Sequence, residues 1–266
     1  MNHGTPFDAN RPLHPREPAS HRRPFVVAAN LTRVFAKGSN SVQVFSNLSF
    51  TVHEGEFVAL LGPSGSGKST ILNLLAGFDQ PTAGAVSIDG VTVGSLPERE
   101  LTVWRSQSLG FIFQSRNLVS LLTAVENVEF PLQRMKMSGG ERRDRAMRAL
   151  SIVGLAERAK HFPSELSGGE EQRVAIACAL VTDPKLIIAD EPTGNLDADS
   201  ASNIMEVLRL LVREHKKTVL LVTHDPVVAA CADRRLMLSK GVLADDGGGG
   251  WNATHGSPQG SQAPRF

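Results

Sequence analysis

The chain has 266 residues, 41% of them hydrophobic, enough for one large domain, or one domain with a subdomain, around a sizeable core. Its 28 basic and 27 acidic residues leave a formal net charge of +1, which gives no case for a nucleic-acid partner. The two cysteines, Cys178 and Cys231, stand far apart with no CxxC spacing. They read as small buried hydrophobes in a reducing compartment, with neither a disulfide framework nor a metal site implied.

Residues 1–24 are rich in Pro, Arg and His and almost free of apolar side chains, so a disordered extension is expected there. A membrane-surface role for Arg11, Arg16, Arg22 and Arg23 is the sharper alternative. Pro6, Pro12, Pro15 and Pro18 break up any signal-peptide core, and no apolar run approaches the roughly 18–20 residues that span a bilayer. The expectation is a protein soluble and intracellular by itself, with another chain supplying any membrane spans. Residues 245–266, which contain a glycine run at 247–250, read as a flexible tail.

In the body, the apolar run Phe57–Leu61 and those at 186–189 and 219–222 lack alternation, as strands buried on both faces of a parallel sheet do. Gly62-Pro63-Ser64-Gly65-Ser66-Gly67-Lys68-Ser69 follows the first of them and fits GxxxxGK[ST]. Thr70 and a helical pattern through Ile71, Leu74 and Leu75 leave it. Glycines let successive N–H groups face a polyphosphate, and the helix N-terminus adds partial positive charge. Lys68 is expected to reach the β- and γ-phosphates and Ser69 to coordinate Mg²⁺.

The stretch 115–163 reads as mostly helical, a candidate helical subdomain. Ser138-Gly139-Gly140-Glu141, followed by Arg142-Arg143-Asp144-Arg145, reads as the capped start of an exposed helix. The run at 186–189 ends in Asp190-Glu191. Asp190 is expected to hold Mg²⁺ with Ser69, and Glu191 to orient and deprotonate an attacking water. Asp197, Asp199 and Ser200 suit a helix start before Ile204, Val207, Leu208 and Leu211. The third strand ends at Thr223-His224-Asp225, where His224 can contact a γ-phosphate and fix the geometry of the water.

Leu166-Ser167-Gly168-Gly169-Glu170-Glu171-Gln172-Arg173 resembles the LSGGQ-type signature of ABC ATPases. Other elements of that family stand in order: Gln114 matches the Q-loop, Leu196-Asp197 the D-loop and His224 the switch histidine. Phe35 stands where the family places an adenine-stacking aromatic, commonly Tyr. The likeness spans residues 25–243. It implies an α/β phosphate-loop core with a mostly parallel sheet, a small antiparallel sheet near the N-terminus and a helical subdomain at about 115–165 within a domain of 25–244. It implies ATP hydrolysis with Glu191, His224, Lys68 and Gln114 catalytic, and with Ser69, Gln114 and Asp190 at the metal. ATP would be bound by Phe35, by residues 62–70 and by Ser167, Gly168 and Gly169.

Those signature residues open a second anion-binding helix, which in the family meets the ATP of a partner cassette in a head-to-tail homodimer or paired cassette. Glu171 departs from the usual Gln, and Cys178 stands where Arg is usual. The Thr193-Gly194-Asn195 form, and the segments around Gln114 and at 123–132, resemble the lipoprotein-release, macrolide-export and cell-division group. That implies an integral-membrane permease partner and a peripheral place on the cytoplasmic face of the cell membrane. Leu118, Val119 and Leu121 are candidate docking contacts, with ordinary subdomain core as the competing reading. A cell-division regulator without cargo and a soluble ABC ATPase are the alternative functions.

Overall fold

The computed structural model describes residues 22–37 and 40–246. Nearly all of the N-terminal extension, and the tail from 247 onward, lie outside the described residues. Arg22 and Arg23 are already engaged with the body, Arg23 pairing with Glu54 (3.3 Å) and Asp89 (2.5 Å).

Strand β1 (Pro24–Lys37) pairs antiparallel with β2 (Asn40–His53) on one side and with β4 (Ala83–Ile88) on the other; the short β5 (Val91–Thr92) closes this four-stranded sheet. The second sheet has six strands in the order β10-β9-β3-β8-β7-β6. These are β3 (Phe57–Leu61), β6 (Leu109–Ile112), β7 (Leu186–Asp190), β8 (Thr218–Thr223), β9 (Arg234–Ser239) and β10 (Val242–Asp245). All neighbours are parallel except β10, which runs antiparallel to β9. This is the expected mixed α/β architecture, an antiparallel sheet beside a mostly parallel one.

The unbroken apolar runs of the sequence have a direct structural cause. Alternate residues of β3 feed two different cores: Phe57, Ala59 and Leu61 point to one, Val58 and Leu60 to the other. The same division holds for Ile187 and Ala189 against Leu186 and Ile188 in β7, and for Val219 and Leu221 against Leu220 and Val222 in β8. A strand covered on both faces favours apolar side chains along its whole middle, with polar ones, such as Thr218, Thr223 and Asp190, left to the ends. One core is filled by α3 (Ala124–Glu129), α4 (Gly139–Ile152), α5 (Gly168–Leu180) and α6 (Ala198–Arg213). The other lies between the parallel sheet, α1 (Lys68–Leu75) and the antiparallel sheet, with Leu101 of α2 (Glu98–Ser108) at its margin.

Residues 115–122 form turns and extended chain before α3, so the helical stretch starts later than the sequence pattern implies. Asn127 explains the non-helical path. Its buried amide donates to the carbonyls of Val119, Leu122 and Thr123 and accepts from the Val119 N–H, tying the segment down without a helix. Ser138 caps α4 as expected, its hydroxyl accepting from the Glu141 N–H while the Glu141 carboxylate accepts from the Ser138 N–H. Asp245 ends β10 and Asp246 ion-pairs with Arg235, so the body extends past residue 244, where the tail was expected to begin.

Candidate nucleotide site

Register decides which side chains meet. Leu61 pairs with Thr223, Asp190 with Val222, and Ile112 with Ala189. The residues that leave these strands, Gly62, His224, Glu191 and Gln114, therefore emerge at one edge, the carboxyl end where open α/β sheets bind ligands.

The phosphate loop turns sharply off β3. A Cβ on Gly62 would overlap the Leu238 carbonyl oxygen, so no other residue fits there. Gly67 precedes α1 with φ +103°, a conformation open to glycine. No side chain caps α1 and no acid lies in its first turn. Its free N–H groups and partial positive charge are left for an outside anion. Lys68 is 7% exposed and its ammonium donates to the carbonyls of Gly62 (2.7 Å) and Pro63 (3.0 Å). The buried Ser66 hydroxyl has no hydrogen-bond partner among the described residues. Pro63, Ser64, Gly65 and Ser69 are exposed, and Thr70 is half-buried in the first turn of α1.

Asp190 ends β7 and Glu191 begins the turn beyond it. Burial, and then the charge of Glu191, push the Asp190 carboxyl above its ordinary range, and Lys68 pulls it back. A half-buried acid close enough to Lys68 to feel its charge fits a divalent cation held by one carboxylate, Ser69 and substrate phosphates. No cluster of three or more His, Cys, Asp or Glu side chains suited to a metal occurs among the described residues.

Glu191 adopts φ +45°, a strained conformation for a non-glycine residue. Its N–H donates to the Val222 carbonyl (2.9 Å) and its own carbonyl accepts from the Gly194 N–H (3.1 Å), which holds the turn. The result is direct contact with His224: Nδ1 lies 2.7 Å from Glu191 Oε2. Sequence reasoning proposed both residues but not this contact, because the positive φ that aims Glu191 leaves no mark in the sequence. Gln114 is exposed beside the same turn, its Nε2 within 3.1 Å of where a Gly194 Cβ would stand.

Two expected elements lie away from this cluster. Phe35 is 40% exposed on β1, with the Arg33 guanidinium 4.2 Å from its ring centroid and Arg33 itself paired to Asp79. The signature opens α5. Ser167 is its N-cap, accepting from the Glu170 N–H, and Gly168 and Gly169 pack against Arg116, Leu196 and Ser200. The buried Gln172 donates to the Phe113 carbonyl (3.2 Å). Asp197 caps α6 through the Ser200 N–H, the first cause of its carboxyl being held below the ordinary range. Cys178 packs against the helical core, and burial pushes its thiol up to about 12; Cys231 is half-buried.

A phosphate loop on β3, an acid at the end of β7 and a glutamate–histidine pair across β7 and β8 define the class: a phosphate-loop nucleotide hydrolase. Residues 45–194 match the ABC transporter family. The chain is 49% identical over 215 residues to the lipoprotein-releasing system ATP-binding protein LolD of Psychrobacter arcticus, covering 80% of this chain and 95% of that protein. It is 48% identical over 218 residues to the ABC transporter ATP-binding protein MJ0796 of Methanocaldococcus jannaschii, covering 80% and 93%. Among solved structures, the dimeric post-hydrolysis state of the MJ0796 cassette bound to ADP and Pi superposes with a TM-score of 0.76 at 44% identity, covering 85% of this chain and all of that one. The chain belongs to the ABC transporter family, as an ATP-binding subunit that hydrolyses ATP. Among the described residues no helix is long and apolar enough to cross a membrane.

Proposed function

We propose that this subunit drives a separate permease of the lipoprotein-release, macrolide-export and cell-division group through Mg²⁺-dependent ATP hydrolysis in a head-to-tail pair of cassettes. The observation that carries the chemistry is the 2.7 Å contact between Glu191 and His224 at the sheet edge that also bears Lys68. In this reading Glu191 takes the proton of the attacking water, and His224 keeps that carboxylate aimed and contacts the γ-phosphate. Lys68 exchanges the two loop carbonyls it now holds for phosphate oxygens. Asp190, Ser69 and Gln114 would hold a Mg²⁺ ion, which would supply positive charge to offset that developing on the phosphates. Phe35 offers its open ring face to adenine, while Ser167, Gly168 and Gly169 meet the partner's ATP.

Pairing is supported by the dimeric cassettes solved for MJ0796, and the lipoprotein-release reading by the LolD relatives. Residues 25–246 act as the ATP-binding domain, and the helical part at about 115–165 faces the permease from the cytoplasmic side. Val119 and Leu121, the latter 84% exposed, are free to touch it, whereas the half-buried Leu118 packs on the helical core. The test is to express tagged Glu191→Gln in the native host and purify it from membranes with Mg²⁺ and ATP. A co-purifying permease with few spans and a large outer domain is expected. Recovery from the soluble fraction alone, with no membrane protein attached, would contradict the permease reading.

A further inference from the structure

The signature of this chain has an electrostatic problem that the paired-cassette reading makes visible. Its helix α5 carries Glu170 and Glu171 in the first turn. Acids there complement the helix dipole, but they oppose the approach of a partner's triphosphate to the same N-terminus. Each is countered by an arginine from elsewhere. Glu170 accepts from the Ser167 N–H (2.8 Å) and pairs with Arg158 (3.3 Å), while Glu171 pairs with Arg116 (2.9 Å).

Arg116 is the more telling of the two because of where it comes from. It stands two residues after Gln114, and its guanidinium lies against the signature: Nη2 is 2.8 Å from where a Cβ on Gly168 would be. One residue before Gln114, the Phe113 carbonyl accepts from Gln172 of α5. The Gln114 segment is thus fastened to the signature helix on both sides of Gln114, once by a neutral hydrogen bond and once by a charge pair. An unpaired Glu171 would place a full negative charge within one helical turn of the anion site.

We propose that Arg116 is a positioning residue that keeps the signature receptive to the partner's ATP by neutralising Glu171. The proposal rests on the head-to-tail pairing above. It also makes the charge at the signature depend on the position of the Gln114 segment, since moving that segment moves Arg116.

The test uses the full chain in a Glu191→Gln background with Mg²⁺ and ATP. The ATP concentration giving half-maximal dimer is measured by sedimentation. Adding Arg116→Ala should raise that midpoint about tenfold, within the usual range of a site–site coupling. Adding Glu171→Gln as well should return it close to the background value, and the Arg116→Ala defect should shrink as salt rises. Binding of a fluorescent ATP analogue to the monomer should be the same in all variants, which a general loss of structure would not allow. Arg116→Gln serves as a second neutral variant and should behave as Arg116→Ala does. An unchanged midpoint in both Arg116 variants, or a defect that Glu171→Gln leaves in place, would overturn the proposal. If the Glu191→Gln background itself stays monomeric with ATP, the paired-cassette reading fails, and this inference falls with it.

Discussion

The phosphate-loop edge and the signature are both helix N-termini shaped by glycine, yet they are built in opposite ways. The first is backed by strands whose residues are buried on both faces, it carries no cap and no acid, and its lysine is already enclosed. The second is capped by its own Ser167 and Glu170, bears two acids, and is steadied by partly exposed arginines. An uncapped N-terminus held by a rigid sheet is prepared for an anion before the anion arrives. A capped, charge-balanced one is stable alone and must be brought to its ligand. That contrast fits a motor in which one site binds ATP and the other responds to it.

The contrast can be broken in several ways. The largest effect is expected from Glu191→Gln, which should lower phosphate release at least about a hundredfold while ATP binding persists; a parent-like rate would remove Glu191 from the chemistry. Leu220→Ala, in the buried centre of β8, should cost about 2–5 kcal/mol by denaturant unfolding, while Leu121→Ala at the exposed helical side should stay within about 0.5 kcal/mol. Equal costs would mean that the two regions are not built differently. Ser167→Ala should cost about 1 kcal/mol through the lost cap of α5, measured in the same titration.

The smallest effect is Asp190→Asn in the nucleotide-free protein. Burial raises the Asp190 carboxyl above its unfolded value, so its ionisation opposes folding. The penalty is absent at pH below the unfolded value, grows as pH rises, and is complete above the folded one. The variant should therefore melt higher than the parent at neutral pH, with no difference in acid, although its hydrolysis is lost. A lower melting point at neutral pH would contradict the assignment.

Much of this was legible because the relevant signals are local. Buried parallel strands write themselves as runs of Val, Ile and Leu, and the loop needs its glycines at fixed spacing, so Lys68 can be placed where the loop enters a helix, and Asp190 and His224 at strand ends, by counting. Residues 115–122 depart from the helical expectation because the Asn127 side-chain amide binds their backbone, a contact that no periodicity records. The positive φ of Glu191 and the reach of Arg116 across to Glu171 depend on tertiary placement, so the sequence supplied the residues without their geometry. The likeness to ABC ATPases flagged Glu171 as a departure, and only the fold shows its counter-charge.

The central claim is that one cassette's phosphate loop works with another's signature, and mixing two inactive proteins tests it most directly. Lys68→Ala disables the loop and Gly168→Asp the signature, so each homodimer has no complete site. A mixed pair keeps one site in which the intact loop faces the intact signature. The account predicts that an equal mixture recovers ATP hydrolysis, up to about a quarter of the parent rate if pairing is random and the sites are independent. A mixture no more active than its two components would contradict it.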